Sequence, residues 1–175
     1  MIEFVRMTAP DHPLYEQAMQ LYARSFPLHE QRQEKSQRQI LSDPLFHADA
    51  LVQDGQFSGL IFWWELDGMR YVEHFAIDTA LRGQGVGSRS LRSFLQGEPV
   101  VLEIDPPMDE VSRRRERFYH ALGMQSNPFA HYHPPYRPQT PAHELVVLSS
   151  PRPLTEPEYC RFSDLLKNRV MADVL

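Results

Sequence analysis

The chain has 175 residues, 42% of them hydrophobic, with 18 Lys plus Arg against 23 Asp plus Glu and a net charge of −5. That suffices for one domain with a real core, and the acidic balance excludes a general nucleic-acid binder, which would carry a basic excess. The single cysteine, Cys160, excludes an intramolecular disulfide and a cysteine zinc cluster; with no signal-like N-terminus and no apolar run of membrane-spanning length, the chain reads as cytoplasmic, without a membrane partner.

"IEFVRM" alternates apolar and polar residues, as a strand does. From His12 to Phe26 the period becomes helical, with Leu14, Ala18, Leu21, Tyr22 and Ser25 on one face and Pro27 ending the run. "HEQRQEKSQRQILS" is polar and helix-prone, which predicts a surface helix or lid element. Three strands follow, "HADALVQ", "SGLIFWWEL" and "RYVEHFAID", joined by the short turns "DGQ" and "DG" that make antiparallel hairpins. After "LRGQGVGSRSL" a helix places Gly87, Leu91, Phe94 and Leu95 on one face, and Gly97 and Pro99 close it. "VVLEI" reads as a buried strand. A helix from Val111 to Met124 is expected to bury Val111, Phe118 and Leu122. "AHELVVLSS" is a further strand, and the tail from Thr155 sets Phe162, Leu165, Leu166 and Val170 at helical spacing. This order predicts a mixed α/β domain, one layered sheet with helices on its faces.

The three glycines at 83, 85 and 87 stand between a strand and a helix. Loop amides and the unpaired N–H groups of a first helical turn make an anion site there, and glycine lets a phosphate approach the main chain. A phosphate-binding P-loop would need Gly-Lys-Ser/Thr, but Gly87 is followed directly by Ser88. A dinucleotide fingerprint fits in outline, with Glu103 or Asp105 as its acid, but its third position is Ser88 and three antiparallel strands precede the loop.

Arg82-x-x-Gly85-x-Gly87 resembles the signature of the GNAT superfamily of acyl-CoA-dependent N-acetyltransferases, Gln/Arg-x-x-Gly-x-Gly/Ala between the fourth strand and the third helix. "FYHALGM", Phe118 to Met124, resembles a second segment of that family, and the element order agrees from Ile2 to about Ser150. The resemblance implies a GNAT-like fold, mixed and mostly antiparallel, over residues 1–150, with 151–175 a helical extension packed on the same domain. It implies acetyl-CoA as co-substrate, its pyrophosphate on the amides of Gly83, Gln84, Gly85, Val86, Gly87 and Ser88 beside Arg82. The pantetheine arm would pair with the main chain of Phe75, Ala76 and Ile77, the amide near Ile77 serving as oxyanion donor. No metal is expected in this chemistry.

Moving an acetyl group to a primary amine requires a base for the amine, a donor for the oxyanion and an acid for the departing thiolate. The resemblance makes Tyr119 the acid. Glu73 is the first choice of base, placed by the two-residue period on the face of Phe75 and Ile77 with His74 opposite, and Glu103 is the reserve. Relatives commonly carry Asn seven residues before the tyrosine and a small residue four before it; Ser112 and Arg115 stand here, and Ser112 is the expected pantetheine contact. An arginine of "SRRRER" is a candidate for the 3′-phosphate or for a solvated face. His131, Tyr132, His133 and Tyr136 are candidates to line the pocket of a small-molecule or peptide amine. A non-catalytic acyl-CoA-binding module is the alternative, and the tail from Glu156 to Leu175 is a surface on which a homodimer is allowed.

Overall fold

The computed structural model describes residues 1–174; the last residue of the expected tail helix, Leu175, lies outside them. The strands are β1 (Ile2–Met7), β2 (Phe46–Gln53), β3 (Gln56–Leu66), β4 (Met69–Ile77), β5 (Val100–Ile104), β6 (Gln125–Ser126), β7 (His131–His133) and β8 (His143–Ser150). The helices are α1 (Tyr15–Ser25), α2 (Glu34–Ile40), α3 (Val86–Phe94), α4 (Glu110–Ala121) and α5 (Glu156–Leu165), with a π turn continuing α5 over Leu166–Val170. The sheet runs β1-β2-β3-β4-β5-β8-β6, with β7 also paired to β8. All pairs are antiparallel except β4–β5. This is the mixed, mostly antiparallel sheet with flanking helices that the sequence predicts.

The two hairpins close on Asp54-Gly55 and Asp67-Gly68, both residues of each turn at positive φ, whose twist matches the flanking strands. Each sheet face carries its own core. On one side α1, α2 and α5 cover Ala50, Phe62, Trp64 and Tyr71. On the other, α3 and α4 cover Leu51, Ile61, Val72, Leu102 and Leu148. The C-terminal segment belongs to the first core: Phe162, Leu166, Val170 and Met171 are fully buried, and Phe162 packs 5.3 Å from Tyr71. Thr155 and Glu158 start α5 with a capping box.

Two elements differ from the sequence reading. The polar 29–42 stretch is not one surface helix: a 3-10 turn, Leu28–Glu30, precedes the short α-helix Glu34–Ile40, and Arg32 and Gln37 are 3% and 1% exposed. Arg32 spends its polarity on buried bonds, whereas the side-chain amide of Gln37 is buried without a hydrogen-bond partner. In α4, Val111 is 69% exposed, and the buried residues are Ser112 and Tyr119, seven apart. Tyr119 lies against a cavity and Ser112 caps the helix start, so apolar periodicity does not mark these positions, while Phe118 and Leu122 are partly buried against the core.

The feature that positions the site is the end of the parallel ladder. β4 and β5 pair only through Arg70–Val100, Tyr71–Val101 and Val72–Leu102. Beyond that point β5 stays with β8 through Ile104–Val146, while β4 stays with β3 through Ile77–Gly59. The strands therefore diverge from Glu73 onward, and the β5-facing edge of Glu73 to Ile77 is free of strand partners.

Candidate active site

A cavity of about 470 Å³ opens in this split, lined by β4 from Tyr71 to Ile77, by Leu102 to Asp105, by Phe118 and Tyr119 of α4, and by the 133–136 segment. Arg82 lies at one end, with Phe75, Ala76 and Ile77 along the wall. Phe75 and Ile77 face the α3–α4 side, and Ala76 the opposite core.

The glycine loop brings α3 to this end. Gly83 and Gly85 have φ of +77° and +74°, a conformation that side chains rarely adopt. A Cβ on Gly85 would also lie 3.0 Å from Arg89 Nη1. The first internal bond of α3 runs from Arg89 N to Gly85 O at 3.0 Å, and no side chain caps the helix. The amides of Gly85, Val86, Gly87 and Ser88 are thus left for an outside acceptor, at the positive end of the dipole. Gln84 differs from its neighbours, since its amide closes a turn on Leu81 O at 3.4 Å. The start of α3 lies close against β4 and α4: a Cβ on Gly87 would meet Ile77 and Phe118 in ordinary contact, at 3.4 and 3.6 Å. Arg82 donates to Ile77 O at 3.4 Å. The loop follows the fourth strand of a mostly antiparallel sheet, which removes the dinucleotide fingerprint as a reading.

Tyr119 lies in the cavity wall opposite the free edge of β4, 8% exposed. Burial pushes its phenol up to about 12, only partly offset by Arg115. The group therefore keeps its proton at neutral pH and is available as a donor. Ser112, the expected pantetheine contact, does not line the cavity; its hydroxyl and amide close a capping box with Asp109, at 2.8 Å from Oδ1 in both cases. The hydroxyl is already committed to starting α4. In "SRRRER", Arg115 pairs with Asp105 at 3.1 Å and Arg117 with Glu110 at 2.9 Å.

Glu73 is not where strand alternation puts it. The β3–β4 register shifts between Phe62 and Trp63: Phe62 pairs with His74 and Trp63 with Val72, leaving Glu73 as the extra residue of a β-bulge. The bulge turns Glu73 to the side of His74, away from the face of Phe75 and Ile77. There its Oε1 accepts from Arg32 Nε and Tyr136 OH, each at 2.8 Å, and its Oε2 from Trp64 Nε1 at 2.7 Å. Burial alone would raise this carboxyl, but Arg32, His74 and the two neutral donors outweigh it and hold it at about 2. A carboxylate so saturated is a poor proton acceptor, which corrects the expectation that Glu73 is the base.

The reserve, Glu103, is also occupied. It accepts from Tyr71 OH and meets His131 Nε2, whose Nδ1 lies 3.0 Å from Tyr159 OH. Burial would raise it too, but His133 and His131 win and it is lowered. Of the four aromatic candidates in the proline-rich segment, His133 and Tyr136 line the cavity, His131 is buried behind Glu103, and Tyr132 is 55% exposed. His133 Nδ1 donates to Pro134 O at 2.6 Å, and its Nε2 faces Tyr136 OH at 3.4 Å and Glu103 at 4.0 Å. Sequence reasoning missed the role of Arg32, which has no local signal: its partners Glu73 and Asp173 are 41 and 141 residues away.

No protein-family model matches the chain, and no curated protein matches it by sequence. Among solved structures, a candidate GNAT-family acetyltransferase from Bacteroides thetaiotaomicron is similar at 29% identity and a TM-score of 0.91, over 96% of this chain and 97% of that one. The ribosomal-protein-S18-alanine N-acetyltransferase of Escherichia coli is similar at 16% identity and a TM-score of 0.61, over 89% and 96%. Naa50 of Arabidopsis thaliana, in complex with the bisubstrate analogue CoA-Ac-MVNAL, is similar at 15% identity and a TM-score of 0.59, over 87% and 98%. The divergent fourth and fifth strands, the glycine loop at the start of α3 and these likenesses together identify the GNAT-family acetyltransferase fold in this chain.

Proposed function

We propose that the protein is an N-acetyltransferase that moves an acetyl group from acetyl-CoA to a primary amine of a small molecule or peptide, by direct attack within a ternary complex. The observation that carries this reading is the free β4 edge, with the open α3 N-terminus at one end of its cavity and a protonated phenol across from it. The coenzyme A moiety in the complex of the Arabidopsis relative supports the same cofactor here.

In this reading the pyrophosphate sits on the amides of the glycine loop and the pantetheine amides pair with the main chain of Phe75, Ala76 and Ile77. The amide near Ile77 donates to the oxyanion, and Tyr119 protonates the leaving thiolate. With Glu73 held at about 2, the amine's proton goes to His133, whose Nδ1 donates to Pro134 O, leaving Nε2 as the acceptor beside Tyr136 OH, which itself donates to Glu73. Replacing His133 with Gln is expected to lower kcat at least about tenfold at saturating acetyl-CoA. A variant within about twofold of wild type would give the proton to another group.

The decisive test titrates acetyl-CoA into wild type and Gly85→Glu by calorimetry. The variant sets a carboxylate on a backbone with φ of +74°, beside the proposed phosphate site. Micromolar binding to wild type and a loss of about 100-fold or more in the variant is the expected result, about 3 kcal/mol of binding free energy. No binding to folded wild type overturns the cofactor assignment. Binding with no acetyl transfer to any amine leaves an acyl-CoA-binding module.

A further inference from the structure

At the rim of the cavity two chain segments set three metal-ligand residues side by side. His29 and Glu30 lie on a 3-10 turn, Leu28–Glu30, and His143 opens β8. One donor atom of each lies within 4.8 Å of the other two. His29 Nε2 is 3.7 Å from Glu30 Oε1, and the His29 and His143 rings are 5.3 Å apart. Asp105 adds a second carboxylate, with Oδ1 3.2 Å from His143 Nε2.

We propose that His29, Glu30 and His143, with Asp105 beside them, form a binding site for a divalent transition metal of the zinc type. Three physical points lead there. Two imidazoles and carboxylates are the donor set of zinc, cobalt and nickel, whereas magnesium and calcium take oxygen alone. The backbone under the site is already fixed: Glu30 O accepts from His74 Nε2 at 2.8 Å and Leu28 O from Arg137 Nε at 3.2 Å, so only side chains need to move. Tetrahedral ligands about 2.05 Å from a zinc are about 3.4 Å from one another, so the spread of 4.8 Å closes by rotation, and His29, with half its side chain exposed, is free to make it. Asp105 then either completes the ligand set or accepts from His143 as the outer carboxylate that orients a ligating imidazole. The alternation of strands and turns gave no sign of this cluster, because its halves are more than a hundred residues apart in the chain.

His29, Glu30, Asp105 and His143 line the same cavity as the proposed acetyl transfer, but the metal site does not depend on that reading and its test does not use activity. Untagged protein, stripped with chelator, is titrated with Co2+ and followed by visible absorption, with Zn2+ as competitor. The expected result is saturable binding of one equivalent, with the intensified band of four-coordinate Co2+, displaced by equimolar Zn2+ but not by excess Mg2+. His29→Ala and His143→Ala should each abolish the band. Asp105→Asn should weaken binding about 10–100-fold, the usual cost of losing an outer-shell partner. His47→Ala, on the far hairpin, should leave it intact. Circular dichroism verifies folding, and His29 is exposed enough that its loss leaves the core alone. Absence of saturable Co2+ binding overturns the proposal, as does binding that survives both histidine replacements.

Discussion

Tyr119→Phe is expected to lower kcat by roughly 10²–10⁴-fold while leaving acetyl-CoA affinity and melting temperature nearly unchanged. The substitution removes one oxygen and keeps the ring, so the packing against Phe118, 5.2 Å between centroids, is retained. What is lost is the only phenol that α4 presents to the cavity. Burial pushes that phenol to about 12, so it stays protonated throughout the working range. In the ground state it contributes little, because the thioester sulfur carries no charge. As the carbon–sulfur bond breaks, negative charge grows on sulfur in a cavity with low dielectric, and a positioned proton then stabilises the transition state selectively. The loss should therefore fall on kcat rather than on KM. The pH dependence carries a further sign: the rate requires the protonated phenol, so ionisation of Tyr119 should cause no alkaline decline until pH approaches 12. Stopped assays with wild type and variant at saturating acetyl-CoA make the comparison. A variant within about threefold of wild type would leave the thiolate to be expelled without Tyr119.

The parts of this site that the sequence made legible are those that act locally. An arginine, three alternating glycines and a following helix lie within seven residues of one another, and their geometry is set by φ values and by the dipole of the helix they begin. The place of Tyr119 on the cavity wall was likewise readable from its own helix. The side to which Glu73 points was not. Strand alternation assumes an unbroken period of two, and one bulge residue turns Glu73 to the other face of the sheet. No pattern of side chains around "YVEHF" marks that extra residue, because both faces of β4 are covered and both accept aromatic and polar neighbours. The stripe of α4 was legible only in part: Phe118 and Leu122 pack against the core but Val111 is exposed, and the buried positions are Tyr119 on the cavity wall and Ser112, which caps the helix start. The partners of Glu73 lie 9, 41 and 63 residues away, so only the folded chain brings them together.

That long-range cluster yields the largest expected change in stability. Replacing Arg32 with Met should destabilise the protein by about 3–5 kcal/mol, the usual cost of removing one member of a buried ion pair. For a chain of this length the melting temperature should fall by roughly 10 °C. Arg32 has no exposed side-chain surface, and it binds Glu73 at 2.8 Å, Asp173 at 2.9 Å and Val170 O at 2.6 Å. It therefore joins the bulge of β4 to the C-terminal turn, and methionine fills its volume without its charge. Glu73 would be left as a buried carboxylate with only neutral donors and His74. The sign of the pH dependence follows from the wild-type carboxyl, lowered from 4.5 to about 2. Its contribution is fully present above pH 4.5 and is lost as pH falls toward 2. In the variant burial prevails and the carboxyl rises instead, so the protein gains rather than loses from protonating it. The stability gap between wild type and Arg32→Met should accordingly be widest near neutrality, begin to narrow above pH 4.5 as the variant's raised carboxyl takes up its proton, and narrow further below pH 4.5 as the wild-type contribution is lost. Adding Glu73→Gln to Arg32→Met should recover part of the loss, because the stranded charge disappears, and the double-mutant cycle measures the coupling directly. Thermal melts of the four proteins from pH 3 to pH 7 decide it: a gap independent of pH, or a double variant worse than the sum of its parts, would mean that Arg32 stabilises the fold by packing and by its bonds to the C-terminal turn rather than by neutralising Glu73.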